Sequence, residues 1–258
     1  MGTSTRNDGQ KGKTPLIPTW ANDDNIQELP SLSDENRFRA PRGNYTRFLN
    51  DKGMSSSYLR KATSQYVKSS LGGAKNAVIR LGSSRESTVR LLSIFNYLSN
   101  NGIEDTGRKY QLGDIKKISA QKFFIKIIDF VCPNGGSVNE GIARDSYIET
   151  LLEFEDIENR SIDTLSNEEL RVFMEKFMAN VIHSRLLNDI GNKSISLPED
   201  VKTVEFIQEQ IEMFISGAVN DAIHKLNINI NDLGNDKANL IVNNVYEEAY
   251  NILSNMEE

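Results

Sequence analysis

Apolar residues recur every three or four positions through most of this chain, and period-two alternation is nearly absent. The pattern predicts a mostly α protein, an irregular helical bundle preceded by an extended, largely unstructured N-terminal tail. Residues 57–71 place Leu59, Ala62, Tyr66 and Leu71 near one face, and Gly72 and Gly73 then stop or bend the helix. Ser83-Ser84-Arg85-Glu86 has capping-box spacing ahead of a face built from Val89, Leu92 and Phe95, with Ile94 and Leu98 beside it, and Asn100-Asn101-Gly102 supplies a stop. Ser119 opens the most apolar helix, through Phe123, Phe124, Ile127, Ile128 and Val131, which must end before Pro133.

Downstream, Ser166-Asn167-Glu168-Glu169 repeats the capping-box spacing before Leu170, Phe173, Phe177, Val181 and Leu186, so a long helix is expected to about Ile190. Pro198 starts the next, with Glu199 and Asp200 in its first turn and a stripe of Val204, Ile207, Ile211, Phe214 and Ile215 running toward Leu226. The last helix, over residues 239–256, aligns Leu240, Val242, Val245, Tyr246, Ala249, Ile252 and Leu253. Residues 1–45 mix Gly, Pro, Asp, Asn and Ser with few apolar side chains and cannot form a core of their own, so they read as a tail and 46–258 as the helical domain.

At 258 residues, 38% hydrophobic and 26% charged, the composition is that of a globular protein. One cysteine, Cys132, excludes an internal disulfide framework, and neither a signal-peptide pattern nor a membrane-spanning apolar run is present, so a cytoplasmic protein is expected. The net charge of -6 conceals a division: residues 1–100 carry +7 and residues 101–258 carry -13. Within 37–90 only Asp51 and Glu86 oppose 12 basic residues, a field that suits an anionic partner or the acidic part of the chain itself. Arg37, Arg39, Arg42 and Arg47, interleaved with Phe38, Tyr45 and Phe48, could bind nucleic acid by phosphate contact and stacking. Alternatively, Phe38 and Phe48 anchor the tail while the arginines cap helices or meet acidic groups.

Candidate chemistry is sparse. GQKGKT at residues 9–14 ends like a phosphate-binding loop, but Asn7 stands where the first glycine is required, and Pro15 and Pro18 oppose a following helix. Arg6 spoils the myristoylation pattern of MGTSTR. If Met1 is trimmed, Gly2 presents an α-amine with an ordinary pKa of roughly 7.7–8.0, a better nucleophile at neutral pH than a lysine. His183 and His224 lie far from any zinc-ligand spacing, Cys132 sits in an apolar run, and no catalytic motif is found, so no metal, cofactor or enzymatic activity is expected.

Four pieces in order, MGTS, GKTPLIPTW, RFRAPRGNYTRF and GGAKNAVIRLGSSRESTVRLL, resemble the QatB family of Qat antiphage defence systems over roughly the first 95 residues. The resemblance implies three neighbours: an ATPase (QatA), a QueC-like enzyme (QatC) and a TatD-like nuclease (QatD). QueC-like enzymes activate a carboxylated deazaguanine with ATP and pass it to an amine. It therefore implies a tail threaded into QatC, with Gly2 as acceptor, Thr3, Ser4, Thr5, Gly9 and Gly12 giving backbone access, and Thr14, Pro15, Leu16, Pro18 and Trp20 anchoring the strand. Arg80 and Arg85, bracketing Gly82, join Arg37, Arg39, Arg42 and Arg47 as a basic partner surface. The competing expectation is a nucleic-acid-binding adaptor that recruits the nuclease to phage DNA.

Overall fold

Helix starts in this chain are written in short polar side chains. Ser166 accepts a hydrogen bond from the Glu169 N–H at 3.2 Å while the Glu169 carboxylate accepts from the Ser166 N–H at 2.8 Å, the reciprocal pairing that its spacing predicts. Ser119 accepts from the Lys122 N–H, and Asp200 accepts from the Thr203 N–H at 3.0 Å. The computed structural model describes residues 36–116, 118–154, 160–191, 200–227 and 237–256. All belong to one unit, Leu32–Glu258.

The elements in order are α1 (Arg39–Asn50), α2 (Ser56–Gln65) running into a π turn (Tyr66–Ser70), α3 (Ala74–Leu81), α4 (Ser83–Lys109), α5 (Ala120–Val131) and α6 (Val138–Glu153). A 3-10 turn (Ile162–Thr164) precedes α7 (Asn167–Leu186), which runs into a second π turn (Leu187–Gly191), and α8 (Val201–Leu226) and α9 (Ala238–Asn255) complete the fold. The fold is all-α: among the described residues the only strand-like pairing is one bridge between Ser119 and Ser161.

Several local expectations need correction. Residues 39–45, assigned to the tail, are the first turns of α1, because Tyr45 joins Phe48 and Leu49 in the core. Ser83 does not cap α4; Gly82 holds that position at φ 51°, and Glu86 pairs with Arg90 instead. Gly102 (φ 78°, ψ 178°) breaks α4 without ending it, since helical geometry resumes to Lys109. Leu240 is 61% exposed and Ile128 only half-buried, so neither is central to its stripe. Pro198 and Glu199 lie outside the described residues. Three helices were not anticipated: α1; α3, hidden behind the Gly72-Gly73 stop; and α6, whose start is a second capping box between Ser137 and Glu140.

Two helices organise the core. On one side α7 packs against α4, α6 and α8; on the other α9 packs against α2, α3, α4 and α8. Phe124 of α5 stacks on Phe173 of α7 with ring centroids 4.2 Å apart, and Phe95 of α4 meets both rings edge-on. Tyr147 of α6 packs edge-on against Phe173 and donates its hydroxyl to the Phe124 carbonyl at 2.9 Å, so a large aromatic body is buried with its polar tip satisfied. Ties to α9 include the 2.8 Å hydroxyl pair of Thr88 and Tyr246 and the bond from Ser64 to the Ser254 carbonyl at 2.7 Å.

Candidate functional site

The two π turns meet through side chains. Tyr66, at the start of the first, donates its hydroxyl to Asp189 Oδ2 in the second at 2.8 Å, and Arg185, one helical turn before Asp189, donates its Nε to the same oxygen at 3.1 Å. Arg42 of α1 donates to the Asp189 backbone carbonyl at 2.7 Å. Arg185 Nη1 also donates to Asn139 Oδ1 at 2.6 Å, and Asn139 Nδ2 reaches the Arg80 carbonyl at 3.4 Å. Gly82 permits that approach: a Cβ there would stand 2.6 Å from Asn139 Nδ2, and its φ of 51° disfavours other residues. Helical π segments are rare and recur at functional sites, and here two of them share one carboxylate.

The start of the helical domain is fastened at the same place. Ser70 donates to the Arg37 carbonyl at 2.6 Å, the Phe38 ring lies 6.2 Å from that of Tyr66, and the Arg37 and Arg42 guanidiniums sit 4.7 and 5.2 Å from the centre of the Phe38 ring.

Burial, reinforced by Asp189, holds the Tyr66 phenol far above its ordinary pKa, so it stays a hydrogen-bond donor at neutral pH. Burial lowers the Arg80 guanidinium from its ordinary value, and the neighbouring Arg37 and Arg185 push it further in the same direction. The Nε atoms of Arg42 and Arg80 are buried without an acceptor. Cationic donors outnumber the acceptors that face them.

Of the basic residues singled out from sequence, Arg37, Arg42 and Arg80 thus come together, 43 positions apart at the extremes. Arg39 and Arg47 are exposed on α1, Arg47 bonding to Asn44 Oδ1 at 3.3 Å. Arg85 lies in the first turn of α4 with its Nε buried and without an acceptor. The stacking platform is corrected: Tyr45 and Phe48 are 3% and 0% exposed, because their period along α1 points them into the core. Gly2, Thr3, Ser4, Thr5, Gly9, Gly12, Thr14, Pro15, Leu16, Pro18 and Trp20 lie outside the described residues. Sequence reasoning missed Arg185, Asp189 and Asn139; the only local signal was the i,i+4 spacing of Arg185 and Asp189.

Elsewhere, burial pushes the Cys132 thiol up to about 11 and His183 down to about 4, so at neutral pH the first is protonated and the second neutral. Among the described residues no group of three or more His, Cys, Asp or Glu is placed to hold a metal ion, and no helix is long and apolar enough to cross a membrane.

Residues 72–253, from the end of the first π turn's loop through most of α9, match the family described as Qat anti-phage system associated protein QatB. The chain belongs to the QatB family. It is a component of an antiphage defence system. Neither a curated protein nor a solved structure matches it. The QatB match contains Arg80, Asn139, Arg185 and Asp189, extends over the acidic half, and shares the GGAKNAVIRLGSSRESTVRLL block with the N-terminal resemblance seen in the sequence.

Proposed function

We propose that this QatB chain is a non-catalytic defence component that docks through residues 2–20 on a QueC-like enzyme, QatC, and serves as its substrate. Once Met1 is removed, the α-nitrogen of Gly2 attacks the ATP-activated carboxylate of a deazaguanine, an amide bond forms as the nitrogen gives up a proton, and the activating group leaves with its electron pair. Residues Thr3 to Gly12 give a cleft access to the backbone, and Pro15 to Trp20 anchor the segment.

The observation that carries this reading is the fastening of the domain's first residues. Arg37 and Phe38 are held against Ser70 and Tyr66, so whatever precedes them is attached to a fixed point on a packed helical body. An extended peptide beginning at a firm anchor can add backbone hydrogen bonds along a partner cleft, with one aromatic residue buried as a hot spot. The body's own candidate nucleophiles support the same division of labour, since Cys132 is buried and protonated.

Deleting residues 2–20 tests it. The variant is expected to melt with the parent protein, because none of the described core contacts is removed, yet to lose co-purification with QatC and protection against phage. Full defence in the deletion strain would overturn the proposal.

A further inference from the structure

We infer that Arg42, Arg80 and Arg185 form a binding site for a phosphate group where the two π turns meet. With Arg37, which shares the Phe38 ring with Arg42 and lies beside Arg80, four guanidiniums gather around one carboxylate, Asp189, so the cluster carries a surplus of positive charge. Asp189 has little left to offer them. Its Oδ2 accepts from both Tyr66 and Arg185, its backbone carbonyl accepts from Arg42, and its Oδ1 faces Asn188 Nδ2 at 3.4 Å.

The donors, by contrast, are not exhausted. Arg42 and Arg80 each keep a buried Nε with no acceptor, an arrangement that folded proteins normally avoid. Guanidinium forks match phosphate oxygens in pairs, where a lysine would give only a point charge. Two of the three are also held in place: Arg185 is fixed by Asn139 at 2.6 Å, and Arg42 is fixed by the Asp189 carbonyl and lies over Phe38. Side chains ordered in advance lose less rotamer entropy when the ligand arrives.

The surplus selects the ligand. A carboxylate would cancel one of the surplus charges, whereas a phosphomonoester carries about -1.5 to -2 at neutral pH and cancels more of them. A nucleic-acid strand fits less well, because strand-binding grooves pair a basic track with open aromatic faces, and Tyr45 and Phe48 face the core. The ligand is therefore a small molecule with a terminal phosphate, or phosphate itself.

Calorimetric titration of the full chain at constant ionic strength tests the assignment, with inorganic phosphate, AMP and adenosine as probes and chloride as the balancing anion. Phosphate and AMP should bind and adenosine should not; a larger affinity for AMP than for phosphate would mark a nucleotide as the source, equal affinities free phosphate. Arg80→Gln and Arg42→Gln should each weaken phosphate binding about ten-fold or more, the scale of one lost charge-assisted hydrogen bond, while Arg60→Gln, on the exposed face of α2, should not. Arginine modification by phenylglyoxal, read by peptide mass spectrometry, locates the site in the unmutated protein. Phosphate should shield Arg42, Arg80 and Arg185 and leave Arg60 reactive. Absence of phosphate binding, adenosine binding as tightly as AMP, or shielding that misses these three arginines would each overturn the inference.

Discussion

Tyr66 and Asp189, 123 residues apart in sequence, are joined by a 2.8 Å hydrogen bond that links the first π turn to the second. Tyr66 is fully buried, and the side chains of the Arg185–Asp189 pair are partly buried, 19% and 10% exposed. Removing only the phenol, in Tyr66→Phe, should cost about 2 kcal/mol, the scale of a hydrogen bond to a charged acceptor. Asp189→Ala should cost more, about 3–5 kcal/mol, because it strands Arg185 beside Arg80 without a counter-charge. Urea unfolding monitored by circular dichroism ranks the two, and an Asp189→Ala variant as stable as Tyr66→Phe would contradict the charge argument.

The helix starts give a contrast within one residue type. Ser166→Ala and Ser137→Ala each remove a capping-box hydroxyl and should cost about 1 kcal/mol. Ser83→Ala should change stability by less than about 0.5 kcal/mol, since Ser83 caps nothing and reaches only the Ser137 hydroxyl at 3.4 Å. Equal losses at positions 83 and 166 in equilibrium unfolding would show that the Ser83 spacing is used after all.

That contrast explains what could be read from the chain beforehand. Helices α2, α5, α7 and α8 were legible because a buried face repeats at helical period and a cap or glycine marks an end, and α9 was legible by its repeat alone. The Ser83 spacing misled because Gly82, with its positive φ, turns the chain before the serine and leaves it inside the helix. Helix α3 was hidden because its eight residues are too few for a clear period. Basic residues were visible as a local excess, but convergence of Arg42, Arg80 and Arg185 on Asp189 depends on which helices become neighbours. Arg185 and Asp189 taken alone look like an ordinary surface pair.

His183 makes stability fall with acid in a defined window. Burial holds it at about 4 in the folded protein, against about 6.5 for an exposed histidine, and its Nε2 is buried without a partner. The unfolded chain therefore binds the extra proton first. The stabilisation is full above pH 6.5 and declines as pH falls toward 4, by about 3 kcal/mol in all. Glu169, held at about 2 by its hydrogen bonds to Arg160 and Ser166, adds a separate loss only below about pH 4.5. Urea midpoints between pH 7.5 and 5 should slope downward in the parent protein and flatten in His183→Gln; equal slopes would contradict a buried neutral imidazole.

The most direct test of the proposed role is an intact-mass spectrum of the chain, with fragmentation of its N-terminal peptide, after expression with and without the QueC-like neighbour. The account predicts a mass increase equal to one deazaguanine acyl group on Gly2, present only when that enzyme is active and lost when its ATP site is disabled. An unmodified Gly2 in cells that remain protected against phage would contradict it.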